Sequence, residues 1–306
     1  MQLFSCYAYS MKYLYGQSAD LRFSWELDVA LTNLYSLDPS AEVVILFTRS
    51  SPMSDGVYDH IVSRYPNAEV HMYEDMRDDR AYVASIRPYL WYCYLSEDPA
   101  REKETYFQVE SDVIFRKLPN LNKLGLTKKR WYASDCSGYI AYDPYLKNVQ
   151  KADLIVNGFA SIVGISRGEL ETTAGVGAHW VMKEPTAAYW LKVYEDCNKL
   201  YHFIQPIDSN IQRWTVEMWA QLYAAVAFGV TWQTDHELDF CNATDNVMLY
   251  DQVNIMHNAG VVGELGKTMF YKNAYITETP FGKDLSWVVK HKATAKYVEA
   301  IKAVVL

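Results

Sequence analysis

The chain has 306 residues, half of them hydrophobic, and a formal net charge of −8. This is ample material for a large buried core and argues against disorder, while the acidic balance argues against indiscriminate nucleic-acid binding, which draws on a basic surface. The cysteines Cys6, Cys93, Cys136, Cys197 and Cys241 are scattered with no CxxC pair, as expected of reduced thiols in a cytoplasmic protein and not of a zinc site.

In chain order, residues 3–9 read as a first strand, and no basic lead or long apolar core marks them as a signal peptide. Apolar residues at helical spacing over 23–37 predict a helix that Asp38-Pro39 ends. Residues 42–48, nearly continuous in aliphatics, read as a buried parallel strand. A helix over 53–65, a short strand over 68–72 and a helix over 82–95 follow, leading to a strand over 106–115. This alternation predicts an α/β fold, a Rossmann-like parallel sheet with helices on both faces and its ligand at the carboxyl ends of the strands. From about residue 130 the pattern loosens, with helices over 185–201 and 214–228. The longest apolar stretch, 219–232, is too short to cross a bilayer and carries Gln221, so no membrane association is expected. No repeat or linker divides the chain, so one domain over 1–306 is expected.

The segment Tyr106-Phe-Gln-Val-Glu110-Ser-Asp112-Val-Ile-Phe115 breaks an apolar run with two carboxylates one residue apart. Strand alternation would put Glu110 and Asp112 on one side, where both could reach one Mn²⁺ or Mg²⁺ whose open positions take diphosphate oxygens. Acidic residues that end a buried strand are also common as plain structural features. The pattern is that of the DxD signature of nucleotide-sugar glycosyltransferases, with Glu in the first place. Late in the chain, Asn254-Ile-Met-His257-Asn-Ala-Gly260 supplies a histidine of the kind that completes the metal site in GT-A glycosyltransferases. Two carboxylates and an imidazole suit Mn²⁺ as well as Mg²⁺. The bland alternative for His257 is a hydrogen-bonded structural residue.

Other chemistries lack their motifs. Gly175-Val-Gly177-Ala-His-Trp begins like a dinucleotide fingerprint but lacks the last glycine and lies mid-chain. GxxxxGK[ST], GxSxG and HExxH are absent from the sequence.

Several second-half segments resemble the hydroxyproline O-arabinosyltransferases and peptidyl-serine α-galactosyltransferases, a group of GT-A enzymes. Trp214-Thr-Val-Glu217-Met218 looks like the family's Trp-x-x-Glu-Met helix, and His257 with Phe270-Tyr-Lys272 is similar to its late histidine and downstream Phe-x-Lys segment. Arg87-Pro88 is like its basic-Pro element before the DxD strand. The order agrees over roughly residues 80–280. The resemblance implies a UDP-sugar donor of the arabinose, galactose or glucose class, Mn²⁺ or Mg²⁺, and retention of configuration. It also implies a nucleotide-sugar-binding half over 1–129 and an acceptor-binding, metal-completing half over 130–306. The chain departs from the family in its Glu-Ser-Asp pair and in lacking a secretory segment, which points to a phage or bacterial relative, in the host cytoplasm if viral.

Within this reading Glu110, Asp112 and His257 hold the metal, and Glu217 is acceptor base or hydroxyl-positioning group. Lys272 and Lys267 neutralise the diphosphate, Arg87 binds phosphate or sugar hydroxyls, and Tyr7 and Tyr9 stack on uracil. Each has a plain alternative as a surface ion pair, a solvated lysine or a core aromatic. The run Arg116, Lys117, Lys123, Lys128, Lys129 and Arg130 has no acidic residue within it. It reads either as a solvated loop or as a phosphate-backbone contact. The first acceptor expected is therefore a 5-hydroxymethylpyrimidine in DNA, guided by Lys128, Lys129 and Arg130. The alternatives are a protein or glycan hydroxyl, and a non-catalytic nucleotide-sugar-binding protein.

Overall fold

The computed structural model describes residues 11–305, so the strand expected over 3–9, with Tyr7 and Tyr9, lies outside the described residues. The chain runs β1 (Met11–Ser18), α1 (Leu21–Leu37), β2 (Glu42–Arg49), α2 (Ser54–Arg64), β3 (Glu69–Glu74) and α3 (Ile86–Glu97). These elements follow the sequence expectation to within a few residues, apart from the first strand. Pro88 lies in the first turn of α3, where its missing N–H has no helical partner to lose. Next come β4 (Thr105–Gln108), β5 (Val113–Phe115), β6 (Arg130–Asp135), α4 (Ala152–Val163), α5 (Arg167–Thr172) and β7 (Val176–Lys183). The chain continues through α6 (Ala187–Ile204), α7 (Val216–Ala227), β8 (Thr231–Gln233), β9 (Phe240–Asn242), α8 (Val247–Tyr250), β10 (Ile255–His257) and α9 (Thr294–Ala303).

A seven-stranded sheet has the order β3-β2-β1-β4-β7-β6-β8. Strands β3, β2, β1 and β4 are parallel, and β7 is antiparallel to both β4 and β6. Because β2 and β4 flank β1 on opposite sides, the winding reverses at β1, which opens a crevice at the carboxyl ends of β1 and β4. Pleating sorts the side chains. Tyr13, Tyr15, Val43, Ile45 and Phe47 pack with Leu27, Leu31 and Leu34 of α1 and Ile61 of α2. Leu14, Val44 and Leu46 face the other way, toward Leu90 and Trp91 of α3, Trp190 of α6 and Trp219 of α7. Trp91 and Trp190 stack with ring centres 4.8 Å apart. Among the described residues, no helix is long and apolar enough to cross a membrane.

The strand expected over 106–115 is not continuous. Pairing with β1 carries on only to Val109, whose N–H donates to Leu14, and residues 109–112 then leave the sheet in a turn closed by Val113 N–H donating to the Glu110 carbonyl. β5 joins a separate three-stranded sheet, ordered β5-β10-β9. Glu110 and Asp112 therefore lie on a turn between two sheets, and the one-face alternation expected of a single strand does not apply.

Candidate functional site

The antiparallel pairing of β10 with β5 sets His257 opposite Val113, and the Asn258 N–H donates to the Asp112 carbonyl at 2.9 Å. This register brings together side chains far apart in sequence: His257 Nε2 lies 3.2 Å from Asp112 Oδ1. The other oxygen, Oδ2, accepts from the Lys272 ammonium. Lys272 begins a 3₁₀ turn, Lys272–Tyr275, that α1 anchors: Trp25 donates from Nε1 to the Tyr275 carbonyl at 2.9 Å and packs edge-on to Phe270. Burial alone would raise the Asp112 carboxyl, but Lys272 and His257 outweigh it and hold the pKa well below the usual carboxylate range. Asp112 is thus a buried anion.

Glu110 takes a different partner. Arg87, at the start of α3, places Nη2 2.5 Å from Glu110 Oε1 and Nη1 3.3 Å from Glu217 Oε2. Burial works against the guanidinium charge, yet Glu110 and Glu217 raise its pKa further. Glu217 opens α7, where its N–H donates to the Tyr82 hydroxyl, which in turn donates to the Trp214 carbonyl. Its Oε1 is buried and has no hydrogen-bond partner among the described residues. Desolvation pushes the Glu217 carboxyl up, Arg87 opposes it and Glu110 adds to it, leaving a pKa of about 6.

Glu26 of α1 is a site residue that the sequence reading missed. It is 1% exposed, accepts from Ser111 Oγ at 2.6 Å and from Arg22 Nε at 2.8 Å, and thereby ties the middle of the acidic turn to α1. Burial, reinforced by Asp112 and opposed by Lys272 and Arg22, raises its pKa. An acidic residue between Trp25 and Leu27 on a helix was the available signal. His179 of β7, fully buried with its ring centre 5.4 Å from that of His257, is a second.

The remaining candidates separate from this cluster. Lys267 pairs with Glu264 at 2.6 Å on the exposed surface. Tyr7 and Tyr9 lie outside the described residues. Strand register sets the end of the basic run apart: Phe107 and Tyr132 both pair with Val181, so Lys128, Lys129 and Arg130 lie toward the amino end of β4, across the sheet from Glu110. Lys129 donates to the Phe228 carbonyl and Arg130 to the Gly125 carbonyl. A cavity of about 440 Å³ at that same amino-terminal edge, lined by Met11, Glu42, Thr105 and Asn120, includes no residue of the charged cluster. Gly175, which began the false dinucleotide motif, has a packing reason: a Cβ there would sit 2.0 Å from the Ile140 carbonyl oxygen.

No protein-family model matches the sequence, and no curated protein matches it. Among solved structures, the galactosyltransferase LgtC in complex with donor and acceptor sugar analogues is similar over 97% of both chains, with a TM-score of 0.51 at 11% identity. The chain has a GT-A fold. An active-site variant of LgtC gives a TM-score of 0.50 at 12% identity, again over 97% of each chain. The bifunctional glycosyltransferase WbbM matches 99% of this chain with a TM-score of 0.48 at 10% identity, and this chain spans 50% of WbbM.

Within the GT-A fold a divalent cation is a chemical question for the residues present. Among the described residues, no three His, Cys, Asp or Glu side chains gather into a ready-made cage. The buried Asp112 carboxylate facing the His257 imidazole nevertheless forms an oxygen–nitrogen donor pair that fits Mn²⁺ or Mg²⁺. Such ions commonly fill their other positions with water and substrate phosphate.

Proposed function

We propose that the chain is a metal-dependent glycosyltransferase that moves a sugar from a UDP-sugar to an acceptor hydroxyl. The observation that carries this reading is the pair of adjacent charge clusters, Asp112–His257–Lys272 and Glu110–Arg87–Glu217, on a GT-A fold. In this reading Asp112 and His257 would hold a divalent cation, whose chemistry would be to offset the charge of the departing diphosphate. Lys272 adds a second positive charge to the diphosphate. Arg87, kept in place by Glu110, donates to hydroxyls of the donor sugar, so Glu110 acts through Arg87. Glu217 receives the proton of the acceptor hydroxyl at Oε1 as the bond from the acceptor oxygen to the anomeric carbon forms and the anomeric carbon–phosphate oxygen bond breaks. Residues 1–129 supply the nucleotide-sugar half, and residues 130–306 supply the acceptor half together with His257.

For the acceptor we favour a glycan or protein hydroxyl. Trp214, three positions before Glu217, is 64% exposed and stacks on Tyr139 with ring centres 6.4 Å apart, which supports a flat apolar platform for a sugar ring. A flipped hydroxymethylpyrimidine would also stack there, but Lys128, Lys129 and Arg130, the residues expected to guide DNA, lie toward the other edge of the sheet. The test is a panel of UDP-sugars with Mn²⁺, each offered a glycan, a hydroxylated peptide and hydroxymethylated DNA. Transfer to glycan or peptide supports the proposal, and transfer to DNA alone reverses the acceptor assignment. Failure to release UDP from any UDP-sugar would leave a nucleotide-sugar-binding protein.

A further inference from the structure

The proposed chemistry leaves His179 unused, although it lies against the metal-binding pair. Between β6 and β7 the register runs from Ala133 opposite Trp180 to Ser134 opposite Gly177, so Ala178 and His179 form a bulge. Ala178 has φ of 55°, a left-handed conformation that an L residue rarely adopts. Bulges of this kind re-aim a side chain, and backbone strain of this kind clusters at functional sites. Here the re-aimed side chain is an imidazole buried beside His257 and Phe240.

Its hydrogen bonds fix its tautomer. His179 Nδ1 lies 2.9 Å from Ser134 Oγ, and Ser134 Oγ lies 2.9 Å from the Leu238 carbonyl oxygen. A hydroxyl has one hydrogen and a carbonyl can only accept, so Ser134 donates to Leu238 and must accept from His179 Nδ1–H. His179 Nε2 therefore carries a lone pair. That atom is buried and has no partner among the described residues. Burial, followed by the nearby His257, holds the His179 pKa well below its ordinary value, consistent with a neutral ring.

His257 needs such an acceptor. With its Nε2 3.2 Å from Asp112 Oδ1, His257 can donate Nε2–H to that carboxylate while no cation is bound. Once Nε2 gives its lone pair to a metal, the ring hydrogen must reside on Nδ1, and metal-ligating histidines almost always hand that N–H to a fixed acceptor. We propose that His179 is a positioning residue whose Nε2 receives the Nδ1–H of His257 when His257 binds the cation. Leu238, Ser134 and His179 then form a fixed chain behind the ligand. This inference rests on the cation reading of the proposed function.

The experiment measures Mn²⁺ affinity by the free-Mn²⁺ paramagnetic resonance signal in the presence of UDP, without sugar transfer. It compares wild type, His179→Phe and His179→Gln, and adds ¹⁵N tautomer assignment of the wild-type histidines with UDP and Mg²⁺. His179→Phe should lose about 10- to 100-fold in Mn²⁺ affinity, the range typical of a lost outer partner. His179→Gln, whose side-chain oxygen can accept, should recover part of that loss. In the wild type, His257 should move from Nε2–H to Nδ1–H on addition of Mg²⁺ while His179 stays Nδ1–H. Equal Mn²⁺ affinity in wild type and His179→Phe would overturn the inference alone, whereas a His257 hydrogen that stays on Nε2 with Mg²⁺ bound would remove His257 as a ligand and the inference with it. The tautomer measurement needs no variant: a His179 hydrogen found on Nε2 with Mg²⁺ bound would leave no acceptor for His257 and overturn the inference even if His179→Phe fails to fold. A wild type that binds no Mn²⁺ with UDP would remove the cation reading itself, and this inference with it.

Discussion

Arg87 and Glu217 form an ion pair at 3.3 Å that joins the start of α3 to the start of α7 and uses only one of the two carboxylate oxygens. The other, Oε1, is buried without a partner among the described residues, and desolvation lifts the Glu217 carboxyl to about 6 despite Arg87. A base with that value is ionised near neutral pH yet still basic enough to take a proton. Glu217→Gln keeps the volume and removes this capacity. Transfer should fall by about 10²- to 10⁴-fold, with UDP affinity unchanged and no loss of stability. The wild-type rate should rise with pH through about 6. A variant that transfers sugar normally would make Glu217 a structural residue.

The raised carboxyl also predicts a stability profile. The folded state favours the protonated form, so its contribution is complete below the unfolded value of about 4.5 and is lost as pH climbs through about 6. Set against Glu217→Gln, which cannot titrate, the wild type should lose about 2 kcal/mol of relative stability across that interval. Denaturant unfolding of both proteins at several pH values measures it. A difference that does not change with pH would contradict the assignment.

The cation prediction concerns Asp112 and His257. Asp112→Asn and His257→Ala should each weaken UDP binding only when Mn²⁺ is present, and should cut turnover by at least the 10- to 100-fold that second-shell losses typically cost. The measurement is UDP titration with Mn²⁺ and with EDTA. Full turnover in EDTA would sink the metal role.

Ser111 fills the middle of the acidic turn for a physical reason, because its hydroxyl donates to buried Glu26 at 2.6 Å. Ser111→Ala leaves that carboxylate oxygen short of a donor, which costs about 1–3 kcal/mol. It also frees the turn that sets Glu110 and Asp112, so KM for the UDP-sugar should rise while Ser111→Thr stays closer to wild type. Ser111→Ala with unchanged stability and KM would show that α1 does not hold the turn.

Local signals in the sequence carried most of the first half. The unbroken aliphatics of β2 and the apolar spacing of α1 predicted elements to within two residues, because each packs both faces or one stripe against a core that any α/β sheet provides. Partner choice was less legible. The Glu-x-Asp spacing suggested one shared cation, whereas Glu110 lies against Arg87 and Asp112 against His257 and Lys272, a division set by where the chain leaves β4. Glu26 with Arg22 at i,i+4 reads as an exposed helix pair, and its burial depends on the segment anchored by Trp25 and on α9, far along the chain. His179 had a signal that went unused, a lone imidazole within a strand buried almost end to end.

The last prediction tests the acceptor through the basic run. Arg130 begins β6, and the shared register of Phe107 and Tyr132 on Val181 sets it toward the amino end of β4, while the acidic turn follows that strand's carboxyl end. Neutralising Lys128, Lys129 and Arg130 together should therefore leave UDP-sugar hydrolysis, KM for a glycan acceptor and the salt dependence of transfer unchanged. Had these residues gripped duplex phosphates beside the site, each lost contact would reduce the log–log salt slope by about 0.9. Kinetics in 50 and 200 mM salt, a range over which phosphate-dependent binding falls by about 10³- to 10⁵-fold for six to ten contacts, would separate the cases. A raised KM for hydroxymethylated DNA together with a flattened slope would bring the run back into the acceptor path and reverse the preference for a glycan or protein hydroxyl.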